Sequence, residues 1–134
     1  MDSTEEIAKH LVNYLNQTNP MAKTIIFCAN QEHATTMLEK LREADPTHFN
    51  GRHKYGVRIV SDDGGEGKRD LDRFTTPKEH YPVVVTTAVL LTTGVDAPTC
   101  KNIVLARPVS NIVEFKQILG RGTRVYLVII KIML

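Results

Sequence analysis

The chain has 134 residues, 42% of them hydrophobic and 24% charged, which suits one ordinary core and excludes two independent ones. Its 17 basic and 15 acidic residues leave a formal charge of +2, which excludes a protein that coats nucleic acid by bulk charge and confines any polymer contact to a local patch. The polar start Met1-Asp2-Ser3-Thr4-Glu5-Glu6 is the wrong chemistry for a targeting peptide, and the apolar stretch Tyr126 to Leu134 is broken by Lys131 and too short to span a bilayer, so no membrane partner is expected.

In chain order, Ser3 or Thr4 is placed to cap a first helix, with Ile7, Ala8, Leu11, Val12 and Leu15 at helical spacing before Asn19-Pro20 stops it. Thr24 to Cys28 is a continuous apolar run with β-branched members, as in a strand buried on both faces. Gln31 to Arg42 then sets Ala34, Met37, Leu38 and Leu41 on one helical stripe. Asp45 to Tyr55 has no period and reads as a loop. Val57 to Val60 is a second short strand, followed by the turn-rich Ser61 to Gly67 and a short helix, Lys68 to Phe74, that buries Leu71 and Phe74. Val83 to Thr86 and Asn102 to Ala106 are two more strands, separated by a loop containing Thr92 to Pro98. Ser110 caps a last helix running to about Leu119, and Val125 to Ile130 is a fifth apolar run. Such alternation predicts an α/β fold: a parallel sheet covered by helices on both faces, with ligands beyond the carboxyl ends of the strands. Cys28 and Cys100 lie far apart inside apolar runs, which fits reduced, structural thiols and a cytoplasmic protein.

The strongest chemical signal is Gln117-Ile118-Leu119-Gly120-Arg121-Gly122-Thr123-Arg124. Two arginines three apart near a helix end can converge on one anion; their guanidinium forks match phosphate oxygens, and the glycines clear space for close approach. The plainer alternative is a basic helix C-terminus that complements the helix dipole. Gly64-Gly65-Glu66-Gly67-Lys68 looks like a phosphate loop, but Asp62 stands where that motif needs glycine and Arg69 where it needs a hydroxyl. No apolar strand ends in Asp-Glu, so no magnesium carboxylates follow one either. Arg52, His53, Lys54 and Arg58 form a basic cluster that fits a solvated face better than a DNA contact, and His33 and His48 read as surface or packing residues, since no metal-ligand grouping surrounds them.

The segment Gln117 to Arg124 resembles motif VI of superfamily 2 helicases. Val83-Val84-Val85-Thr86-Thr87-Ala88 through Leu91-Thr92-Thr93-Gly94-Val95-Asp96 is similar to motif V and its extension, and Thr24 to Asn30 to the motif IV strand. The wording Leu-Thr-Thr-Gly-Val-Asp-Ala-Pro-Thr-Cys-Lys, then Glu-Phe-Lys-Gln-Ile-Leu-Gly-Arg-Gly-Thr-Arg, resembles the motor (R) subunits of type I restriction enzymes more than other helicases.

That resemblance implies a RecA-like second lobe of P-loop NTPase type, without its own Walker A and B motifs, extending over residues 1–134. It would have a leading helix in 1–19 and an apolar tail in 125–134, and it would be a piece of a larger motor protein. It implies Arg124 as an arginine finger on ATP, Arg121 as a second phosphate contact, and Gln117 as a coupling residue. Asp96, reached through Gly94, would contact the ribose or the finger network, and Thr87 or Thr86 a DNA phosphate. ATP and Mg2+ would be held mainly by the other lobe. The implied partners are duplex DNA, an N-terminal RecA-like lobe, a nuclease domain, and modification and specificity subunits. The isolated chain is then expected to be inactive. A lobe of another superfamily 2 helicase, or a flavodoxin-like binding domain, are the alternatives.

Overall fold

A computed structural model of the protein describes residues 3–59, 65–88, 100–106 and 126–128, the last as backbone. Helix α1 spans Ser3–Gln17, strand β1 Lys23–Phe27, α2 Gln31–Ala44, β2 Gly56–Ile59, α3 Glu66–Phe74, β3 Val84–Thr87, β4 Cys100–Leu105 and β5 Tyr126–Val128. The strands form one five-stranded sheet in the order β2-β3-β1-β4-β5, and every pairing is parallel. β1 lies at the centre because its run is apolar on both faces, and each of its five residues is buried.

The pleat sorts neighbours to opposite faces. Ile26, Cys28, Val84 and Val104 join Ile7, Leu11, Met37 and Leu41 of α1 and α2 in one cluster. Ile25, Phe27, Val85, Ile103 and Leu105 meet Phe74 of α3 in another. Helices therefore cover both faces, and burying a side chain such as Phe74, fully enclosed here, stabilises by about 1.5–3 kcal/mol.

Two expectations change. α3 does not bury Leu71 fully; that residue is half-buried, and the enclosed positions are Gly67, Asp70 and Phe74. A carboxylate takes an inward place because cations meet it: Lys54 lies 3.2 Å and Arg73 3.4 Å from Asp70 Oδ1. The stretch Asp45 to Tyr55 is irregular as expected, yet it supplies core. Phe49 and Tyr55 are buried and meet edge to face at 4.7 Å between ring centres, which no periodicity could announce.

Gly56 opens β2 under the Phe49 ring. A methyl group there would overlap that ring, with Phe49 Cδ1 at 2.6 Å and Leu38 Cδ1 at 3.0 Å. Gly56→Ala is therefore expected to destabilise by about 1–3 kcal/mol, the usual range for overpacking. An unchanged urea midpoint would show that the ring swings aside freely.

Lys23 is a charged residue within the buried strand. Its Nζ donates to the carbonyls of Phe74 at 2.7 Å, Arg73 at 3.1 Å and Thr76 at 3.3 Å, so it caps the carboxyl end of α3, where a cation also complements the dipole. Burial lowers its pKa, against the opposing charge of Glu79.

Candidate functional site

Parallel strands bring their carboxyl ends to one edge. β1 leaves that edge through Cys28, Ala29 and Asn30. The Cys28 amide donates to the Thr87 carbonyl at 2.7 Å, and the Ala106 amide to the Phe27 carbonyl at 2.8 Å. The Cys28-Ala29-Asn30 turn, at the end of the strand similar to motif IV, thus sits directly beside the end of β3, which carries Thr86 and Thr87.

Asn30 ends the turn and starts α2. Its backbone is extended, and its side chain accepts the His33 amide at 2.7 Å, the geometry that makes asparagine a good N-cap. His33 faces back over the turn: the Ala29 amide donates to its Nδ1 at 3.0 Å, while Nε2 lies 3.2 Å from Thr4 Oγ1 in α1.

Thr86 and Thr87 are both fully buried. The Thr86 hydroxyl donates to the Ala34 carbonyl of α2 at 3.0 Å, so in this arrangement it joins β3 to α2. Thr87 ends the strand, in register with Phe27 and Ile59. Gly94, Asp96, Gln117, Arg121 and Arg124 lie outside the described residues, as does the helix expected from Ser110.

The basic cluster does not act as one surface. Lys54 is paired with Glu66 and Asp70, and the hydrogen bonds it donates to those carboxylates raise its pKa, the one to Glu66 foremost. His53 stacks on Tyr81 at 4.8 Å. A hollow of about 320 Å³ lined by Leu38, Arg42, Phe49, Lys54 and Arg58 lies at the start of β2, at the opposite edge of the sheet from the strand ends. His48 Nδ1 meets Asp45 Oδ2 at 2.7 Å and its ring stacks on Tyr55, a packing role like the one its sequence context suggests.

Gly65-Glu66-Gly67-Lys68 is simply the entry and first turn of α3, with Glu66 committed to Lys54. Among the described residues, no three His, Cys, Asp or Glu side chains are grouped to hold a metal ion. Among them, too, no helix is long and apolar enough to cross a membrane. Cys28 and Cys100 are free and buried, and burial pushes each thiol up to about 12, the state of unreactive packing residues.

A five-stranded parallel sheet with helices on both faces is the architecture of a RecA-like lobe. The sequence matches the helicase conserved C-terminal domain over residues 6–126, and the chain belongs to that family. It is 46% identical over 124 residues to the type I restriction enzyme EcoAI endonuclease subunit of Escherichia coli, covering 92% of this chain and 15% of that protein. A solved fragment, described as an HsdR subunit of a type I restriction enzyme from Vibrio vulnificus YJ016, superposes with a TM-score of 0.81 at 45% identity, over 94% of this chain and 26% of the other. The Pyrococcus furiosus Hef helicase domain has the same fold at 20% identity, with a TM-score of 0.64, over 94% of this chain and 25% of that one. The flavodoxin-like alternative falls with the family match.

The sequence reads His33 as a surface or packing residue and does not single out Lys23. His33 was legible in principle, since a histidine three residues beyond an Asn cap can reach back over the turn. Lys23 leads an apolar run and carries no comparable signal, because its partners are carbonyls about fifty residues away.

Proposed function

We propose that the chain is the second motor lobe of an ATP-dependent DNA translocase, the R subunit of a type I restriction endonuclease. The likeness to the EcoAI subunit carries this reading, and the adjacency of the Cys28-Ala29-Asn30 turn and Thr87 supports it. ATP supplies the phosphoryl group whose transfer to water drives movement. Arg124 is the finger that meets its charge from this side of the interlobe cleft, and Arg121 is a second contact to phosphate. Gln117 couples that network to the polymer, and Asp96, positioned through Gly94, holds the ribose or the finger network. Thr87 or its neighbour Thr86, both at the end of β3, contacts a DNA phosphate through a hydroxyl or backbone amide.

Closure of the lobes completes the electrostatics only when both halves are together. The chain's donors are arginines, a glutamine and hydroxyls, so the phosphate cradle and the magnesium carboxylates belong to the N-terminal lobe. A nuclease domain of the same protein cuts, and modification and specificity subunits complete the complex in the cytoplasm.

The purified chain is therefore expected to hydrolyse no ATP, while the intact protein, with its N-terminal lobe, shows DNA-stimulated turnover. Enzyme-dependent phosphate release by the chain alone would overturn the division of labour, and absence of DNA stimulation in the intact protein would overturn the motor reading.

A further inference from the structure

His33 sits at a junction of three elements. A backbone amide can only donate, so the contact from Ala29 requires a lone pair on Nδ1 and places the ring proton on Nε2, facing the Thr4 hydroxyl. One ring therefore bridges the turn after β1 to the first turn of α1. The Ala29 amide lies beyond the end of β1, where a turn must find other acceptors for its amides.

The same few residues reach β3. Asn30 accepts the His33 amide, and the carbonyl of Ala34, the next residue, accepts the buried Thr86 hydroxyl. Cys28, just before the turn, donates to Thr87. The turn is thus tied to α1 through His33 and to β3 through the Cys28 amide, while the Thr86 hydroxyl fixes the first turn of α2 that follows it.

We propose that His33 is a positioning residue that presets the Ala29-Asn30 turn beside Thr87 for contact with the DNA backbone. It acts through the backbone of the turn and makes no contact with the polymer itself. The inference rests on the motor reading for the identity of the ligand, but the fixing of the turn by the imidazole stands apart from it.

The test uses the intact protein and a duplex DNA of generic sequence, with ATP turnover measured against DNA concentration. His33→Phe keeps a ring and removes both nitrogens. It is expected to raise the DNA concentration for half-maximal turnover up to about tenfold, the loss of one ordinary hydrogen bond, with kcat at saturating DNA little changed. His33→Asn puts an acceptor oxygen at the distance of Nδ1 and restores most of the DNA response. His33→Gln reaches towards Thr4 instead and restores less.

Amide exchange over the Ala29 segment, followed in the same proteins, is expected to quicken up to about tenfold in His33→Phe and to recover in His33→Asn. A His33→Phe protein with unchanged DNA response and unchanged exchange overturns the proposal, as does a His33→Asn protein as impaired as His33→Phe. If His33→Phe fails to fold, His33→Gln takes its place, since it lacks the acceptor at the position of Nδ1 that the Ala29 amide needs, and an unchanged half-maximal DNA concentration and unchanged exchange there overturn the proposal. If the wild-type protein lacks DNA-stimulated turnover, the motor reading fails, and the exchange measurement still decides whether His33 fixes the turn.

Discussion

Arg124→Ala in the intact protein is expected to cut ATP turnover by about 10³- to 10⁵-fold while leaving nucleotide affinity within a few-fold of the parent. A finger acts on charge that grows as the phosphoryl group is transferred, so its removal raises the barrier, by about 4–7 kcal/mol, more than it weakens ground-state binding. Arg124→Lys keeps the charge but loses the planar fork, and should fall between the two. Single-turnover rates and nucleotide titrations of the three proteins separate the effects. Turnover that survives Arg124→Ala would show that the finger lies elsewhere; loss of binding in parallel with rate would make Arg124 a ground-state contact.

The second large effect is alkaline loss of stability. Cys28 and Cys100 have thiols raised from 9.0 to about 12 by burial in the two core clusters. In the unfolded chain they ionise from about pH 9, while the folded chain keeps both protons to about pH 12. Between those values the folded state binds more protons. Its stability is whole below about pH 9 and falls as pH rises, by an amount on the order of 4 kcal/mol per thiol across the window. Tyr55, whose phenol burial also raises, adds loss of the same sign. Lys23 opposes them: with its folded pKa lowered, the unfolded chain holds the extra proton just below 10.5, and stability rises with pH there.

Two thiols and a phenol outweigh one ammonium. Urea midpoints are therefore expected to fall steadily from about pH 9 upward, and Cys28→Ala with Cys100→Ala should flatten the curve at the cost of small cavities. A midpoint that holds level to about pH 11 would falsify the burial of these thiols as proton traps.

Most of the elements were legible because their signals are local. β1 and the stripe of α2 follow from residues adjacent in sequence, and strand ends moved by one or two residues, as at β3, which runs Val84–Thr87 where Val83 to Thr86 was expected, and at β4, which starts at Cys100 where Asn102 was expected. The short α3 was misread at Leu71 because its inward polar position depends on Lys54, sixteen residues away in a segment with no period. Phe49 and Tyr55 escaped for the same reason: an irregular stretch can pack a core without a repeat to announce it.

The candidate site divides in the same way. The arginine pair, the glutamine, Gly94 and Asp96 are motif letters that can be read one by one, and they lie outside the described residues. Thr86 and Thr87 read alike in the sequence, whereas the strand turns them to opposite faces and packing gives the Thr86 hydroxyl to α2.

The sequence by itself determined the class of fold, the position of the strands and the order of the motifs, because hydrophobic period, β-branching and caps act between near neighbours. It also determined which phosphate-binding pieces this segment lacks, since a glycine loop with its lysine and hydroxyl is a matter of spacing. Tertiary structure alone decided the strand order β2-β3-β1-β4-β5, the burial of Asp70 and Lys23, and the bridge from Thr4 through His33 to Ala29. Those depend on groups distant in the chain, whose meeting is set by how the helices close over the sheet and by the need of each buried charge and amide for a partner.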